Sequence, residues 1–299
     1  MSSDVELWIQ SRPREIEPGV SVGRVLPAAE RRQVGPYVFL DHMGPQRFAA
    51  GHGADVRPHP HIGLATVTYL FEGEITHRDS AGSLQNIRPG AVNWMSAGAG
   101  IAHSERTPPE LRATGGTMHG LQLWVGLPQK EETSAAWFRH YPAESLPQLD
   151  EPGARLRVLA GEAFGVKSPV QTSWPSFQVD ATLDAGAPLK LPEGFTERAL
   201  YVVSGALALG SSERIEKGTM AVFRAGTQPA LRAESAARVM MLGGEPLDGP
   251  RFIFWNFVNS SKERIVEAAR RWKAGGFTKV KGDETEYVPL TLEPRFPSH

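Results

Sequence analysis

Four residues in the first half of the chain have the types and the spacing of a metal-binding set. They form two pairs, His59 with His61 and His103 with Glu105, and one residue separates the members of each pair. Residues two apart on a β-strand point to the same face, so two neighbouring strands can direct all four side chains at one point. Imidazole and carboxylate groups suit iron, manganese, cobalt, nickel, copper or zinc, and four such ligands on an octahedral ion leave two positions for water, substrate or dioxygen. We therefore predict one divalent metal ion on these four residues.

An alternative is that these are ordinary polar residues of a strand, hydrogen-bonded and without a ligand. One His-x-His pair does not decide between the two interpretations, but an internal repeat favours the metal. The matching segments are Tyr69 to Gly73 with Tyr201 to Gly205, and Gly90 to Gly98 with Gly218 to Gly226. In this alignment the counterparts of the four residues are Leu191, Glu193, Leu231 and Ala233. The second copy is therefore predicted to lack the metal site.

Short strands are the elements that must position these side chains. Runs rich in β-branched and aromatic residues, such as Ala65 to Phe71 and Met220 to Phe223, recur between turn residues, and the chain has 31 glycines and 24 prolines. This pattern predicts an all-β fold with many tight turns. A segment rich in proline and charge, 127–153, is typical of a linker. We predict an N-terminal metal-binding domain over 1–135 and a C-terminal domain without a metal over 136–299.

One helix is predicted near the C-terminus, over 260–273. Ser260 or Ser261 can cap its start, and Gly275 with Gly276 ends it. Its apolar residues follow helical spacing and form one stripe: Ile265, Ala268, Ala269 and Trp272. The stripe predicts docking on the protein's own core.

Composition excludes several classes of function. The chain has no cysteine, which excludes thiolate ligands, disulfides and cysteine nucleophiles. The net charge of -1 gives no general attraction to nucleic acid or anionic lipid. No apolar run approaches the roughly 20 residues of a membrane span, and the first residues carry no signal peptide. A cytoplasmic location is therefore expected, with no direct binding to nucleic acid or membrane.

The motifs along almost the whole chain resemble those of the pirin family, within the cupin superfamily. The resemblance rests on Leu40-Asp41-His42, Pro58-His59-Pro60-His61, Trp94 to Gly98, His103-Ser104-Glu105, His119 to Trp124, and Gly243 to Leu247. The chain departs from the general cupin pattern, because Ala65 and Thr66 stand near the place of its usual acid and Ser96 stands where proline is common. These departures are those of pirins, which use the glutamate of His-x-Glu as a ligand.

The resemblance implies two cupin barrels in tandem, a jelly-roll-like bicupin, with iron in the first barrel. Several members of the family have quercetin 2,3-dioxygenase activity, whereas others are regulatory proteins with protein partners. Fe(II) is accordingly the metal expected here, with manganese, cobalt, nickel, copper and zinc as alternatives.

Our leading hypothesis is a dioxygenase that acts on a flavonol-like or other enolic aromatic compound with dioxygen. Glu105 would be the catalytic base, because a carboxylate near the metal can accept the proton of the enolic hydroxyl group. The alternatives are a metal-dependent regulatory or redox-sensing binding protein, which would have a protein partner and no turnover, and a metal-dependent isomerase that needs no oxygen.

The strand that follows the His-x-His pair is expected to line the site. If no bulge intervenes, the alternation of side chains along it puts Val67, Tyr69 and Phe71 on the side of the ligands, with Thr66 and Thr68 facing away. This orientation predicts an apolar pocket over the metal.

The remaining polar residues of the first half receive no ligand role. His77 and Asp79 are interpreted as a hydrogen-bonded cluster at a charged hairpin end. The others are assigned to a turn (His42), an exposed loop (His52), the surroundings of the site or ordinary core (His119 and Gln122), and a structural position (His140).

Overall fold

A computed structural model describes residues 4–296, and almost all of its regular structure is β. The first eleven strands and a short helix are β1 (Val5–Gln10), β2 (Arg12–Glu17), β3 (Val20–Leu26), β4 (Tyr37–Phe48), β5 (Asp55–His61), β6 (Leu64–Glu72), β7 (Ile75–Asp79), β8 (Leu84–Ile87), β9 (Val92–Ser96), β10 (Ile101–Arg106), α1 (Pro109–Thr114) and β11 (Gly116–Gly126). The remaining strands and the second α-helix are β12 (Trp137–Tyr141), β13 (Gln148–Glu151), β14 (Ala154–Ala163), β15 (Val166–Lys167), β16 (Ser176–Leu183), β17 (Pro188–Leu189), β18 (Glu197–Ser204), β19 (Ala206–Leu209), β20 (Glu213–Glu216), β21 (Thr219–Phe223), β22 (Leu231–Ala233), β23 (Ala237–Gly244), β24 (Phe252–Phe254), β25 (Phe257–Asn259) and α2 (Lys262–Lys273). The all-β prediction is confirmed.

The described residues form two compact units. The first barrel holds 15–22, 43–140 and 247–296, and the second holds 4–14, 23–42 and 141–246. Each unit therefore draws on separate parts of the sequence. The predicted domain boundary between residues 135 and 136 stays a prediction.

The predicted internal repeat is visible in the strand orders of the sheets. A four-stranded sheet has the order β5-β10-β7-β8 in the first barrel and β17-β22-β19-β20 in the second. The two larger sheets have the orders β12-β9-β6-β11-β4-β3-β2 and β1-β21-β18-β23-β16-β14-β13, and β15 pairs with β14. Strand for strand these orders correspond, so one β-fold occurs twice.

An apolar cluster fills the second barrel. Leu191, Leu231 and Ala233, the counterparts of three predicted ligands, are buried members of it, whereas Glu193 is exposed. Buried aliphatic side chains at these positions stabilise the barrel through the hydrophobic effect and offer no group that binds a metal.

The C-terminal segment packs on the first barrel. Helix α2 begins after Ser261, whose hydroxyl group accepts a hydrogen bond from the Arg264 amide, and its residues Ile265, Ala268 and Ala269 are buried against Ile62 and neighbouring aromatic rings. The predicted helix and its docking face are confirmed. Among residues 4–296, neither α-helix has the length and apolar character needed to cross a membrane.

Gly63 lets the hairpin of β24 and β25 approach the strand that carries the histidines. Its φ is +66°, and a β-carbon there would lie 1.9 Å from the Val258 carbonyl oxygen, so no side chain fits without a shift. Close approach allows the Val258 amide to donate to the Ile62 carbonyl oxygen at 3.2 Å. The hairpin is thereby attached to the end of β5.

Candidate metal centre

Three buried imidazoles converge on the inner face of the four-stranded sheet of the first barrel. Strands β5 and β10 are antiparallel neighbours, with His103 directly opposite His59 and Ile101 opposite His61. The ring centroids lie 4.4 Å apart for His59 and His103 and 5.0 Å apart for the other two pairs. A ligand nitrogen from each histidine lies within 4.8 Å of the others, so the three side chains can bind one metal ion.

Backbone carbonyl groups fix the tautomers of two of these histidines. His59 Nδ1 lies 2.8 Å from the Arg57 carbonyl oxygen, and His61 Nδ1 lies 2.9 Å from that of Asn256. A carbonyl oxygen only accepts, so each Nδ1 carries the proton and donates, and each Nε2 keeps its lone pair. Metal-bound histidines in proteins are held in this way, with the other ring nitrogen hydrogen-bonded.

The facing Nε2 atoms of His61 and His103 lie 3.1 Å apart. His61 Nε2 has a lone pair, so His103 Nε2 either carries a hydrogen and donates it to His61 or is bare, in which case the two lone pairs would repel unless a metal ion lies between them. The donor set therefore fits a metal that imidazole binds well.

Burial keeps the three imidazoles neutral. It lowers the pKa of His59, and it lowers the pKa values of His61 and His103 well below the ordinary range, with neighbouring histidines adding to the effect. The backbone bond from Arg57 and the negative charge of Glu105 oppose the shift at His59. Neutral imidazole is the form that binds metals, so the site needs little deprotonation at neutral pH.

Glu105 lies beside the three histidines but outside their group. Among the described residues, the group whose ligand atoms all approach one another within 4.8 Å comprises the histidines alone. The register between β5 and β10 shifts after His103, so that Glu105 pairs with Val56, while its carboxylate Oε1 lies 3.1 Å from the Thr68 hydroxyl group. Its role as fourth ligand stays a prediction.

The predicted orientation of β6 is wrong. Thr68 was expected to face away, yet its hydroxyl group contacts both Glu105 and, at 3.0 Å, the Gln122 side chain. Parity counted from His61 fails because β5 and β6 belong to different sheets and Gly63, with its positive φ, lies between them. Polar groups therefore line this side of the site, and Trp124 supplies an apolar ring 5.1 Å from that of His61.

Two residues that sequence reasoning placed at a hairpin end form part of the site. His77 and Asp79 lie on β7, which pairs with β10, and they are 4% and 0% exposed. His77 Nδ1 lies 3.4 Å from His103 Nδ1, and His77 Nε2 lies 3.0 Å from Asp79 Oδ2. The signal was available, because His77 and Asp79 have the same spacing of two residues as the other pairs.

The other histidines with described surroundings lie in different contacts. His42 Nδ1 lies 2.8 Å from the Tyr201 hydroxyl group, His140 Nδ1 lies 2.7 Å from Asn93, His119 packs its ring on Phe71, and His52 is exposed. His299 lies outside the described residues.

Sequence and structure comparisons with known proteins cover nearly the whole chain. The Pirin family model matches residues 19–125, and the model of the Pirin C-terminal cupin domain matches residues 178–278. A pirin-like protein of Caulobacter vibrioides is 49% identical over 290 residues, which are 96% of this chain and 99% of that protein. A Pseudomonas aeruginosa protein provisionally named as a quercetin 2,3-dioxygenase is 39% identical, over 96% of this chain and 89% of that protein.

A solved structure gives the same result for the fold. The crystal structure of a quercetin 2,3-dioxygenase from Acinetobacter baumannii superimposes with a TM-score of 0.87 at 34% identity and covers 98% of this chain and 96% of that one. The predicted tandem of two cupin barrels is thereby confirmed. With matches to both family domains and relatives aligned over nearly their full length, the chain belongs to the pirin family of the cupin superfamily.

Proposed function

We propose that the protein is a metal-dependent dioxygenase that opens a flavonol, or a related enolic aromatic compound, with dioxygen. The observation that carries the proposal is the convergence of three buried, neutral imidazoles, in which the Nε2 atoms of His61 and His103 face each other at 3.1 Å. The related A. baumannii protein, a quercetin 2,3-dioxygenase, supports this substrate class.

Fe(II) is the metal we assign to the site. His59, His61 and His103 would hold it through Nε2, and Glu105 would be the fourth ligand, since it follows His103 by two residues on β10 and its charge acts on His59. A set of imidazoles and one carboxylate with open positions is typical of non-haem iron that reacts with dioxygen. Bound iron would supply a Lewis acid for the enolate oxygen and a centre for dioxygen.

Glu105 is the residue we assign to proton transfer. An ionised carboxylate only accepts hydrogen bonds, and the single proton of the Thr68 hydroxyl group serves either Glu105 or Gln122 at one time. Glu105 therefore has further acceptor capacity for the proton of an enolic hydroxyl group. A positioned base of this kind contributes about 10²–10⁴ to a rate.

Oxygen consumption with quercetin tests the proposal. The protein is purified without oxygen, loaded with Fe(II), analysed for bound metal, and assayed at an oxygen electrode with rates expressed per iron. We expect the wild type and His140→Ala to consume oxygen with quercetin, and His103→Ala to lose this activity. His140 is a suitable control because it bonds Asn93 and is not one of the three converging histidines.

Full iron loading without oxygen uptake, for quercetin and other flavonols, would refute the dioxygenase proposal. Metal-dependent capture of a protein partner by such a preparation would then support the regulatory function instead.

A further inference from the structure

The pair His77 and Asp79 has no role in the proposed reaction, although both residues are buried beside His103. Together with the two predicted ligand pairs they give three pairs with the same spacing on three adjacent strands, β5, β10 and β7. The register places Asp79 opposite His103 and His77 opposite Glu105, so all four residues lie on one face of the sheet.

Asp79 is held as an acceptor. Its Oδ1 accepts hydrogen bonds from the Ala81 and Ser83 amides, both at 2.9 Å, which leaves Oδ2 for His77 Nε2 at 3.0 Å. Burial raises the pKa of Asp79, but the hydrogen bonds from His77 and Ser83 outweigh it and keep the pKa below its ordinary value. An ionised carboxylate with no proton of its own requires His77 to carry a proton on Nε2.

The ring of His77 is also held in plane. It stacks on Phe138 with centroids 4.3 Å apart and an interplanar angle of 12°. With Nε2 directed at Asp79, Nδ1 faces His103 Nδ1 at 3.4 Å. If His103 binds the metal through Nε2, its own proton lies on Nδ1 and is donated to His77 Nδ1, so His77 accepts at Nδ1 while its Nε2 donates to Asp79.

We infer that His77 and Asp79 are positioning residues that fix the tautomer and ring orientation of His103 for metal binding. The inference rests on the metal centre of the proposed function and adds two residues to it. A carboxylate that accepts a hydrogen bond from a metal-bound imidazole is a known way of orienting a ligand, and here one extra histidine, His77, lies between the two.

The second barrel gives an internal comparison. Its strands pair Leu209 with Leu231 and Leu207 with Ala233, as β7 pairs Asp79 with His103 and His77 with Glu105. Leu207 and Leu209, the counterparts of His77 and Asp79, both belong to the apolar cluster of the second barrel. The barrel in which apolar residues replace three of the four predicted ligands thus also has apolar residues in place of the pair on the third strand, which suits a pair that serves the metal.

Asp79→Asn is the most direct test, because asparagine has the shape of aspartate but donates a hydrogen bond at the position where the aspartate oxygen accepts one. The asparagine carbonyl oxygen would stay with the two backbone amides, so its NH₂ group would face His77 Nε2. His77 would then accept at Nε2 and carry its proton on Nδ1, and His103 would have to place its own proton on Nε2, toward the metal. An Asp-to-Asn change beside a catalytic histidine is known to act through the wrong tautomer in this way.

Zinc binding and nitrogen NMR test the inference on the full chain. We expect Asp79→Asn to weaken Zn(II) binding by about 10–100-fold in a chelator competition, the usual loss when an outer partner of a ligand is removed. Asp180→Asn is the matched control, a buried carboxylate of the second barrel paired with Arg238, and should bind zinc like the wild type. In the zinc-loaded wild type labelled with ¹⁵N-histidine, His77 should carry its proton on Nε2 and His103 on Nδ1.

A double-mutant cycle separates positioning from loop stability. In a His77→Phe background, adding Asp79→Asn should cause no further loss of zinc affinity, because no ring remains to relay the change. Additive losses, unchanged affinity in Asp79→Asn, or a His77 proton on Nδ1 in the wild type would each overturn the inference. If Asp79→Asn weakens zinc binding as expected but the iron-loaded wild type does not turn over quercetin or other flavonols, the dioxygenase proposal is refuted and the role of His77 and Asp79 still stands.

Discussion

Replacing Gly63 with alanine tests whether the C-terminal hairpin holds His61 in its binding orientation. The new β-carbon would lie 1.9 Å from the Val258 carbonyl oxygen, whereas contacts shorter than 3.0 Å essentially never occur, so the two segments must separate by about 1 Å. Asn256 lies on the same hairpin, and the same shift would lengthen its 2.9 Å bond to His61 Nδ1 to about 3.9 Å, beyond hydrogen-bond range. Zinc affinity should fall by about 10–100-fold, as for the loss of any outer partner of a metal ligand.

The effect on stability can be separated from the effect on the metal. A non-glycine residue at positive φ costs about 1–2 kcal/mol, and crowding adds about 1–3 kcal/mol. Gly51→Ala is the control, because Gly51 has φ +84° in the same barrel with no atom within 4 Å of the new β-carbon, so only the backbone term applies. Urea unfolding and a zinc competition titration measure the two quantities. Equal zinc affinity in the two variants would refute the reasoning that the hairpin orients His61.

Three further predictions concern the site and its support. His103→Ala should lose most of its iron by elemental analysis while His140→Ala keeps it, and full metal content in the former would exclude the proposed centre. Glu105→Gln should keep much of its metal while oxygen uptake per iron falls by about 10²–10⁴, and equal rates would remove Glu105 as the base. Asp283 pairs with Arg106 through two bonds of 2.8 Å that, against the effect of burial, keep the Asp283 pKa below its ordinary value. The contribution of this ion pair to stability is therefore full above the unfolded pKa near 4 and is lost as the pH falls through the lower folded pKa. The advantage of wild type over Asp283→Asn in urea should begin to shrink as the pH falls below about 4, and an advantage that stays constant on further acidification would contradict this reasoning.

The all-β fold, the repeat and the C-terminal helix could be predicted from the sequence because each depends on local periodicity. Strands show a period of two, the helix shows its stripe of Ile265, Ala268 and Ala269, and Ser261 marks its start. Positions in the repeat could also be aligned without coordinates, which identified Leu231 and Ala233 before their burial was known. Signals of this kind lie within one segment of the sequence and can be recognised without the tertiary structure.

Relations between strands could not be predicted in the same way. The side of β6 that carries Thr68 depends on a change of sheet at Gly63, and parity along the sequence does not describe such a change. His77 and Asp79 were interpreted as a hydrogen-bonded cluster at a charged hairpin end, and they do bond each other, but the sequence does not show that β7 lies between β10 and β8 and brings His77 against His103. The contact between His61 and Asn256 joins positions far apart in the sequence, and a backbone acceptor leaves no residue-type signal.

Strand β5 is held by residues that are synthesised much later than its histidines, and this affects when the chain can bind a metal ion. The Val288 amide donates to the Pro58 carbonyl oxygen at 2.8 Å, the Val258 amide bonds Ile62, and the Asn256 carbonyl group fixes His61. All three histidines leave the ribosome long before these partners do, at the usual elongation rate of about 5–20 residues per second. A nascent or prematurely terminated chain thus presents the imidazoles without the Asn256 carbonyl group that orients His61 and without the two amides that attach β5. We therefore expect chains that stop before residue 288 to bind a metal ion more weakly than chains that reach it, because they lack contacts that hold β5 and its histidines in place.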